Sequence, residues 1–493
     1  MAALIDGQHT LIPPYWQNFI GGHWVDAADG ARRTLVDPAT GQALTEVALG
    51  DETDVGHAVE AAHACVASRI LVSARPVQRL RWVMGIGREL QARRERAAYV
   101  LSRDSGKSLS DAYVEIDGAI RYFEYYGSMA DKLEGTSIPL GDGYVDYTVP
   151  VPHGVSAHIV PWNYPAEMMA RGIAPALTAG NAVVVKAPEV DPLACLIIAE
   201  AAEAAGLPPG AVNVIVGDGP VAGAALARHP RVNQIVFTGS VETGQSILHS
   251  AADRVIPTVM ELGGKSAAIV FDDADLDALL DSVRWGIFMN AGQVCSAMSR
   301  LIVPRLLHDD VIDRVTDLAR GLTVGAGIED PGLTPVVSQR QLDRVAGLTT
   351  HAISAGARAA TGGAVIKRPG YFMEPTVLVD VDPSSDISRT EIFGPVLSVF
   401  KADTAAAAIA IANATDYGLV AGVFTQDIDS ALWTAQRLEA GQVFVNEWFA
   451  GGVETPFGGV KKSGFGREKG QEAIRNYFQT KNVALRVRPP PTP

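Results

Sequence analysis

The sequence predicts an α/β protein with parallel sheets. Three observations point there. Apolar, β-branched runs recur at residues 155–160, 182–186, 212–216, 234–237 and 258–262. Helix-like segments lie between them, such as 192–205 and 221–228. A second alternating stretch then runs from 263 to 462. Short buried strands that alternate with amphipathic helices imply a parallel sheet covered on both faces. The first stretch therefore reads as a doubly wound, Rossmann-like domain of the dinucleotide type, and the second as another α/β domain.

The elements follow in order. Residues before about 130 read as helix-rich, at 58–67, 77–94 and 113–132. Residues 136–150 read as a hairpin turning at Gly141-Asp142-Gly143. In the second stretch, 275–288, 311–320 and 339–355 read as helices. Strands are expected at 300–303, 395–400, 420–424 and 442–446. Residues 482–488 read as a strand-like tail. Exposed edges on the hairpin and the tail would be hazardous unless covered, so both are candidates for pairing with a second subunit. The final Pro489-Pro490-Pro491-Thr492-Pro493 cannot join a sheet and is expected to be loose.

Bulk properties narrow the function classes. The 493 residues suffice for two or three domains. A net charge of −14 argues against a nucleic-acid partner, because phosphate binding needs a basic face. Three cysteines, an odd and sparse count, argue against a disulfide framework and fit a reducing compartment. No signal peptide is readable at the start. The most apolar stretch, 405–414, is far below the ~18–20 residues that span a bilayer. A soluble cytoplasmic protein without a membrane partner is expected.

Chemistry is suggested first by Cys295, in the small-residue stretch Asn290-Ala291-Gly292-Gln293-Val294-Cys295-Ser296. Such a loop leaves room for a substrate beside the thiol. Upstream, Glu261 ends an apolar strand in Met260-Glu261-Leu262-Gly263-Gly264-Lys265 and can serve as a base for water. The pair suggests covalent catalysis on a carbonyl, then hydrolysis. Cys65 and Cys195 lie in helical apolar patterns and read as core. No Cys/His cluster has metal-ligand spacing, so no metal is expected.

Other motifs end strands, where open α/β sheets bind ligands. Phe237-Thr238-Gly239-Ser240-Val241-Glu242-Thr243-Gly244 opens a helix whose free N–H groups suit a pyrophosphate; a plain N-cap by Ser240 explains it equally. Gly217-Asp218-Gly219 is a weaker glycine fingerprint that a tight turn explains as well. In Lys186-Ala187-Pro188-Glu189, the Lys and Glu could bind a ribose, and the Glu would repel a 2′-phosphate; a solvated loop is the alternative. In Pro161-Trp162-Asn163-Tyr164-Pro165, Asn163 could donate to an oxyanion or simply form a turn.

Together these residues resemble the NAD(P)-dependent aldehyde dehydrogenase superfamily, in its non-acylating Cys/Glu form. The resemblance runs from Phe19-Ile20-Gly21-Gly22 to the tail strand. It is carried by residues 161–165, 186–189, 237–244, 261–265, 292–295, by Glu391-Ile392-Phe393-Gly394-Pro395 and by Pro456-Phe457-Gly458-Gly459. It implies a cofactor domain formed by 1–132 and 153–262, and a catalytic domain at 263–462. It also implies an oligomerisation element at 133–152 and 479–493, giving a homodimer or homotetramer, and a helix at 463–478 that returns to the cofactor domain. Cys295 would attack an aldehyde to give a thiohemiacetal and, after oxidation, a thioester. The Asn163 amide and the Cys295 backbone N–H would hold the oxyanion, and Glu261 would activate the hydrolytic water. NAD is expected in preference to NADP. Its contacts would come from Pro161, Trp162, Lys186, Glu189, Gly217, Phe237, Gly239, Ser240, Leu262, Glu391 and Phe393.

The implied substrate funnel comprises Tyr164, Glu167, Met168, Arg171, Met289, Val294, Ser296, Trp448, Phe449 and Phe457. Arg171 stands where semialdehyde-oxidising members bind a carboxylate, but Met289 replaces their second Arg. Glu167, four residues before Arg171 on a helix, favours an internal ion pair. Aromatic, carboxylated and amino aldehydes all remain open on this reading. Gly172 stands where many relatives carry a proton-passing Lys, while Glu468 matches the carboxylate linked to that route. Members that acylate coenzyme A usually lack the equivalent of Glu261, and a catalytically idle relative would have lost Cys295 or Glu261. Both residues are present.

Overall fold

A computed structural model describes residues 11–488. The expected loose tail, 489–493, lies outside the described residues. The expected parallel strands form the centre of an eight-stranded sheet. Its order is Gly464–Phe465, Thr258–Leu262, Gln234–Gly239, Val155–Ile159, Ala182–Ala187, Val212–Val216, Asn18–Ile20, His23–Val25. The five central strands pair in parallel. Ala182–Ala187, Val155–Ile159 and Val212–Val216 are buried at every position, which is why they read as unbroken apolar runs.

Both sheet edges depart from expectation. The first 130 residues are not only helical. Asn18–Ile20 and His23–Val25 form a hairpin through Gly21-Gly22, both at positive φ, and extend the sheet antiparallel. Tyr15–Trp16, Arg32–Asp37 and Gln42–Ala48 form a separate three-stranded sheet. At the opposite edge, residues 463–478 are not the expected helix. Gly464–Phe465 pairs antiparallel with Thr258–Leu262, and only Glu472–Tyr477 makes a 3₁₀ turn. Three glycines and paired charges in 463–470 leave no apolar helical face. The segment still returns to the first core, where Ala473, Ile474 and Tyr477 are buried.

A second core surrounds a seven-stranded sheet in the order Arg358–Thr361, Thr376–Val379, Val396–Ala402, Arg300–Pro304, Ala267–Val270, Val420–Phe424, Gln442–Val445. Only the first pair is antiparallel. The helices His308–Arg320 and Gln339–Ser354 agree with the predicted spans.

The hairpin forms as predicted, from Ser137–Ile138 and Tyr144–Pro152. The tail begins earlier than expected, at Phe478, and Phe478–Arg486 pairs along the whole of Tyr144–Pro152. Tail and hairpin therefore satisfy each other's inner edges within one chain, and only the outer edges of their three-stranded sheet stay open. None of the described helices is long and apolar enough to cross a membrane.

Candidate active site

A cleft of about 540 Å³ opens at the carboxyl ends of the central strands. It is lined by Pro161, Trp162 and Asn163 after the first strand, by Thr238, Gly239, Ser240 and Glu242, and by Glu261, Leu262 and Gly263. From the second core come Cys295, Arg340, Gln341, Arg344, Glu391 and Phe393. The predicted nucleophile, base and amide thus share one cavity.

Cys295 is presented by a strained loop. Asn290 and Ala291 hold φ of 48° and 52°, and Gly292 follows at 72°. Left-handed residues other than Gly cost about 1–3 kcal/mol each, so the surroundings must hold them. Asn290 Nδ2 donates to Asn163 O at 3.1 Å, Gln293 Nε2 to Asn290 O at 3.0 Å, and Val337 N to Gln293 Oε1 at 2.9 Å. Asn163 Nδ2 donates to Gln293 O at 3.0 Å, which ties the amide to the cysteine loop and leaves its second N–H free. At Gly292 a side chain would run into the Gly394 carbonyl.

The segment bearing Asn163 is anchored from below. Lys107 and Glu115 form a fully buried ion pair. Lys107 Nζ also donates to Asn163 O at 2.9 Å and lies 4.1 Å from the Tyr164 ring centroid. Glu115 Oε1 accepts the N–H groups of Ala166 and Glu167 at 2.8 and 3.3 Å. The helix Pro165–Ala179 has no side-chain N-cap of its own. A carboxylate from another helix takes that role, where the helix dipole favours it.

Electrostatics set the resting state. Burial pushes the Cys295 thiol up to about 12; Arg171 opposes this, and Glu391 and Glu261 add to it. Burial, then Glu468, raises the Glu261 carboxyl well above its ordinary range, against Arg171 and Arg467. Glu261 is 2% exposed, and neither of its oxygens has a hydrogen-bond partner. A buried carboxyl without partners is costly unless it serves a purpose. Burial also pushes Glu391 up to about 7, while the Gly264 N–H donates to its Oε1 at 2.9 Å.

The predicted cofactor contacts divide. Pro161, Trp162, Gly239, Ser240, Leu262, Glu391 and Phe393 line the cleft. Ser240 also caps the helix Val241–Ala252 through Thr243 N, so the plain reading and the functional one coexist. The Trp162 and Phe393 rings meet edge-on at 5.2 Å. Lys186, Glu189, Gly217 and Phe237 are not part of its wall. Lys186 Nζ bonds Glu189 Oε2 at 3.2 Å at the end of the adjacent strand. Gly217 is pressed between Ala222 and the Gly50 carbonyl, as a tight turn requires, and Phe237 is buried against Gly239.

Sequence reasoning missed Arg340, Gln341 and Arg344. They sit on the first turns of a helix capped by Ser338, and two of them fix the predicted contacts: Gln341 Nε2 donates to Phe393 O at 2.7 Å and Arg344 Nη2 to Glu391 O at 3.0 Å. The Ser338 cap was the available signal. Lys107 and Glu115 carried none.

No funnel residue lines this cleft. Val294, Ser296 and Trp448 are buried, and Trp448 Nε1 donates to Ser296 O at 3.0 Å. Phe449 meets Trp448 edge-on. Tyr164, Met289, Phe449 and Phe457 pack half-buried on the second core, and Met168 on the first. The expected Glu167–Arg171 ion pair is absent. Arg171 is buried against Glu468, and Glu167 Oε1 instead accepts from Tyr122 OH at 3.1 Å. Among the described residues, no group of His, Cys, Asp and Glu is arranged to hold a metal. Cys65 and Cys195 are buried, and all three thiols are free.

The cleft fits a nicotinamide dinucleotide. Its volume, its strand-end placement, a capped helix N-terminus and two aromatic rings are what such a ligand needs. Comparison with known proteins agrees. Residues 24–483 match the model of the aldehyde dehydrogenase family. The chain is 38% identical over 504 residues to retinal dehydrogenase 2 of Homo sapiens, covering 99% of this chain and 96% of that one. It is 39% identical over 493 residues to hydroxyisobutyraldehyde dehydrogenase of Mycolicibacterium austroafricanum, covering 98% and 95%. The NAD⁺ complex of aldehyde dehydrogenase from Bacillus cereus superposes with a TM-score of 0.96 at 35% identity, covering 98% of each chain.

Proposed function

The chain belongs to the aldehyde dehydrogenase family, and on that premise we propose that it oxidises an uncharged, apolar or aromatic aldehyde to its acid through a covalent adduct on Cys295. It is an oxidoreductase acting on the aldehyde group with a nicotinamide cofactor. The observation that carries the mechanism is the shared cleft: Cys295, Asn163 and a Glu261 with two unpartnered oxygens face one cavity.

Cys295 attacks the carbonyl carbon after losing its proton, and the new alkoxide is held by the free Asn163 N–H and the Cys295 backbone N–H. Trp162, Ser240, Glu391 and Phe393 would hold a nicotinamide cofactor, which would supply the oxidation by accepting hydride. Glu261 then takes a proton from water, which displaces Cys295 and frees the acid. Glu261→Gln should keep a burst of NADH and slow steady turnover by about 10²–10⁴-fold. Equal loss of burst and steady state would assign Glu261 to an earlier step.

The substrate reading rests on charge. Glu468 neutralises Arg171, and Tyr122 hydrogen-bonds Glu167. The remaining funnel candidates are uncharged, and all but Ser296 are aromatic or apolar. The curated relatives named above act on retinal and on hydroxyisobutyraldehyde, neither of which is charged. NAD is preferred because the Glu189 carboxylate, steered by Lys186, would face a 2′-phosphate with like charge. A kinetic survey of aromatic, aliphatic, carboxylated and amino aldehydes with NAD and NADP tests both points. Higher kcat/KM for a carboxylated or amino aldehyde, or for NADP, would refute the corresponding part. We further propose a homo-oligomer docked through the hairpin–tail sheet, working in the reducing cytoplasm where three free thiols persist.

A further inference from the structure

Arg171 is only 4% exposed. Its Nε and Nη2 both donate to Oε2 of Glu468, and its guanidinium lies 4.9 Å from the centroid of the Phe457 ring. Phe457 and Glu468 exchange two backbone hydrogen bonds of 2.7 Å. The next residue, Gly458, abuts the base: a Cβ there would lie 2.8 Å from Glu261 Oε1. Ion pair, Phe457–Gly458 segment and Glu261 therefore form one contiguous block. Burying such a pair gains little stability over apolar packing, so it asks for another use.

Position 172 supplies no cation, and Lys469 Nζ lies 5.9 Å from the Phe457 ring centroid. At Gly172 a Cβ would meet His158 Nδ1 at 2.6 Å. Burial pulls that imidazole down to about 3, and its Nε2 bonds Ser156 Oγ at 3.0 Å, so His158 stays neutral. Glu261 is faced by Glu468, Arg171, Arg467 and Tyr477, and Cys295 by Arg171, Glu391, Glu261 and Tyr164. Arg171 itself also faces Tyr122, Glu167, Tyr126, Tyr477 and the cation of Lys469.

We propose that Arg171 is a positioning residue: clamped by Glu468, it holds the Phe457–Gly458 segment against Glu261 and supplies internal positive charge against which nucleophile and base ionise. It does not bind a substrate carboxylate. The proposal rests on the roles given above to Cys295 and Glu261. Removing Arg171 leaves Glu468 uncompensated beside Glu261; removing Glu468 leaves Arg171 uncompensated. The two changes act on the base with opposite sign.

The test is the pH dependence of acid release in Arg171→Met, Glu468→Gln and the double variant, beside iodoacetamide alkylation of Cys295 followed by peptide mass. Arg171→Met should move the release limb up by about one pH unit and slow alkylation at pH 8 about tenfold. Glu468→Gln should move the release limb down, and the double variant should fall between. Arg171→Lys, which keeps the charge, should leave alkylation within about twofold of wild type. Should Arg171→Met not fold, the isosteric Glu468→Gln and Arg171→Lys still decide. Limbs that stay fixed, or move the same way in both single variants, overturn the proposal. Turnover that survives Cys295→Ala overturns the catalytic reading as well.

Discussion

Burial raises the Cys295 thiol to about 12 and the Glu261 carboxyl well above its ordinary range, and neither Arg171 nor, beside Glu261, Arg467 offsets it. Reactivity is therefore gated by proton loss, and thiol alkylation should rise with pH across the neutral range. That Cys295, Glu261 and Asn163 were candidates was legible because each sits in a short local context, a small-residue loop or a strand end, and all three line one cleft. The partner of Arg171 was not. An i,i+4 pair on a helix is worth only about 0.3–0.5 kcal/mol, so a two-donor contact with Glu468, excluded from water, prevails over Glu167. Glu468 lies 297 residues away, and no local rule reaches it. Gly172 likewise revealed that a side chain was missing there, but not that His158 fills the space.

The helix Pro165–Ala179 and the loop before it are held by elements far away in sequence. Lys107 and Glu115 place the Asn163 carbonyl and cap the helix in one contact set. Lys107→Met should strand a buried carboxylate and cost about 3–5 kcal/mol in denaturant unfolding. Lys107→Met/Glu115→Gln should recover much of that. A loss below 1 kcal/mol for the single variant would mean that the pair does not hold this helix. The five central strands of the first sheet were predicted within about two residues, because an unbroken β-branched run has no other stable use, whereas the buried strands Ala267–Val270 and Thr376–Val379 of the second were overlooked. Tyr15–Trp16, Asn18–Ile20 and His23–Val25 were overlooked because two or three residues cannot display a period of two. The short strand Gly464–Phe465 was hidden for the same reason. The longer Arg32–Asp37 and Gln42–Ala48 were overlooked as well.

At the scale of the molecule, two sheets and two cores meet at the cleft, while a third sheet stands apart. On that sheet Tyr144, Val145 and Leu485 are 45–49% exposed, beside Val487 at 51%. Apolar residues on an open-edged sheet favour burial against a second copy. Ending the chain after Tyr477 removes the strand Phe478–Arg486 and should lower the oligomer mass measured by light scattering. An unchanged mass would place the interface elsewhere. Pairing of tail and hairpin within the chain was not legible, since edge strands carry no mark of which edge they will meet.

The claim on which the rest depends is that the acyl group passes through Cys295. Glu261→Gln mixed with NAD and an aromatic aldehyde, acid-quenched within the first turnover and digested, tests it directly. The account predicts that the peptide bearing Cys295 gains the mass of the acyl group, in step with the NADH formed. NADH released in stoichiometric amount with that peptide unmodified, or with the acyl group on another residue, would contradict it.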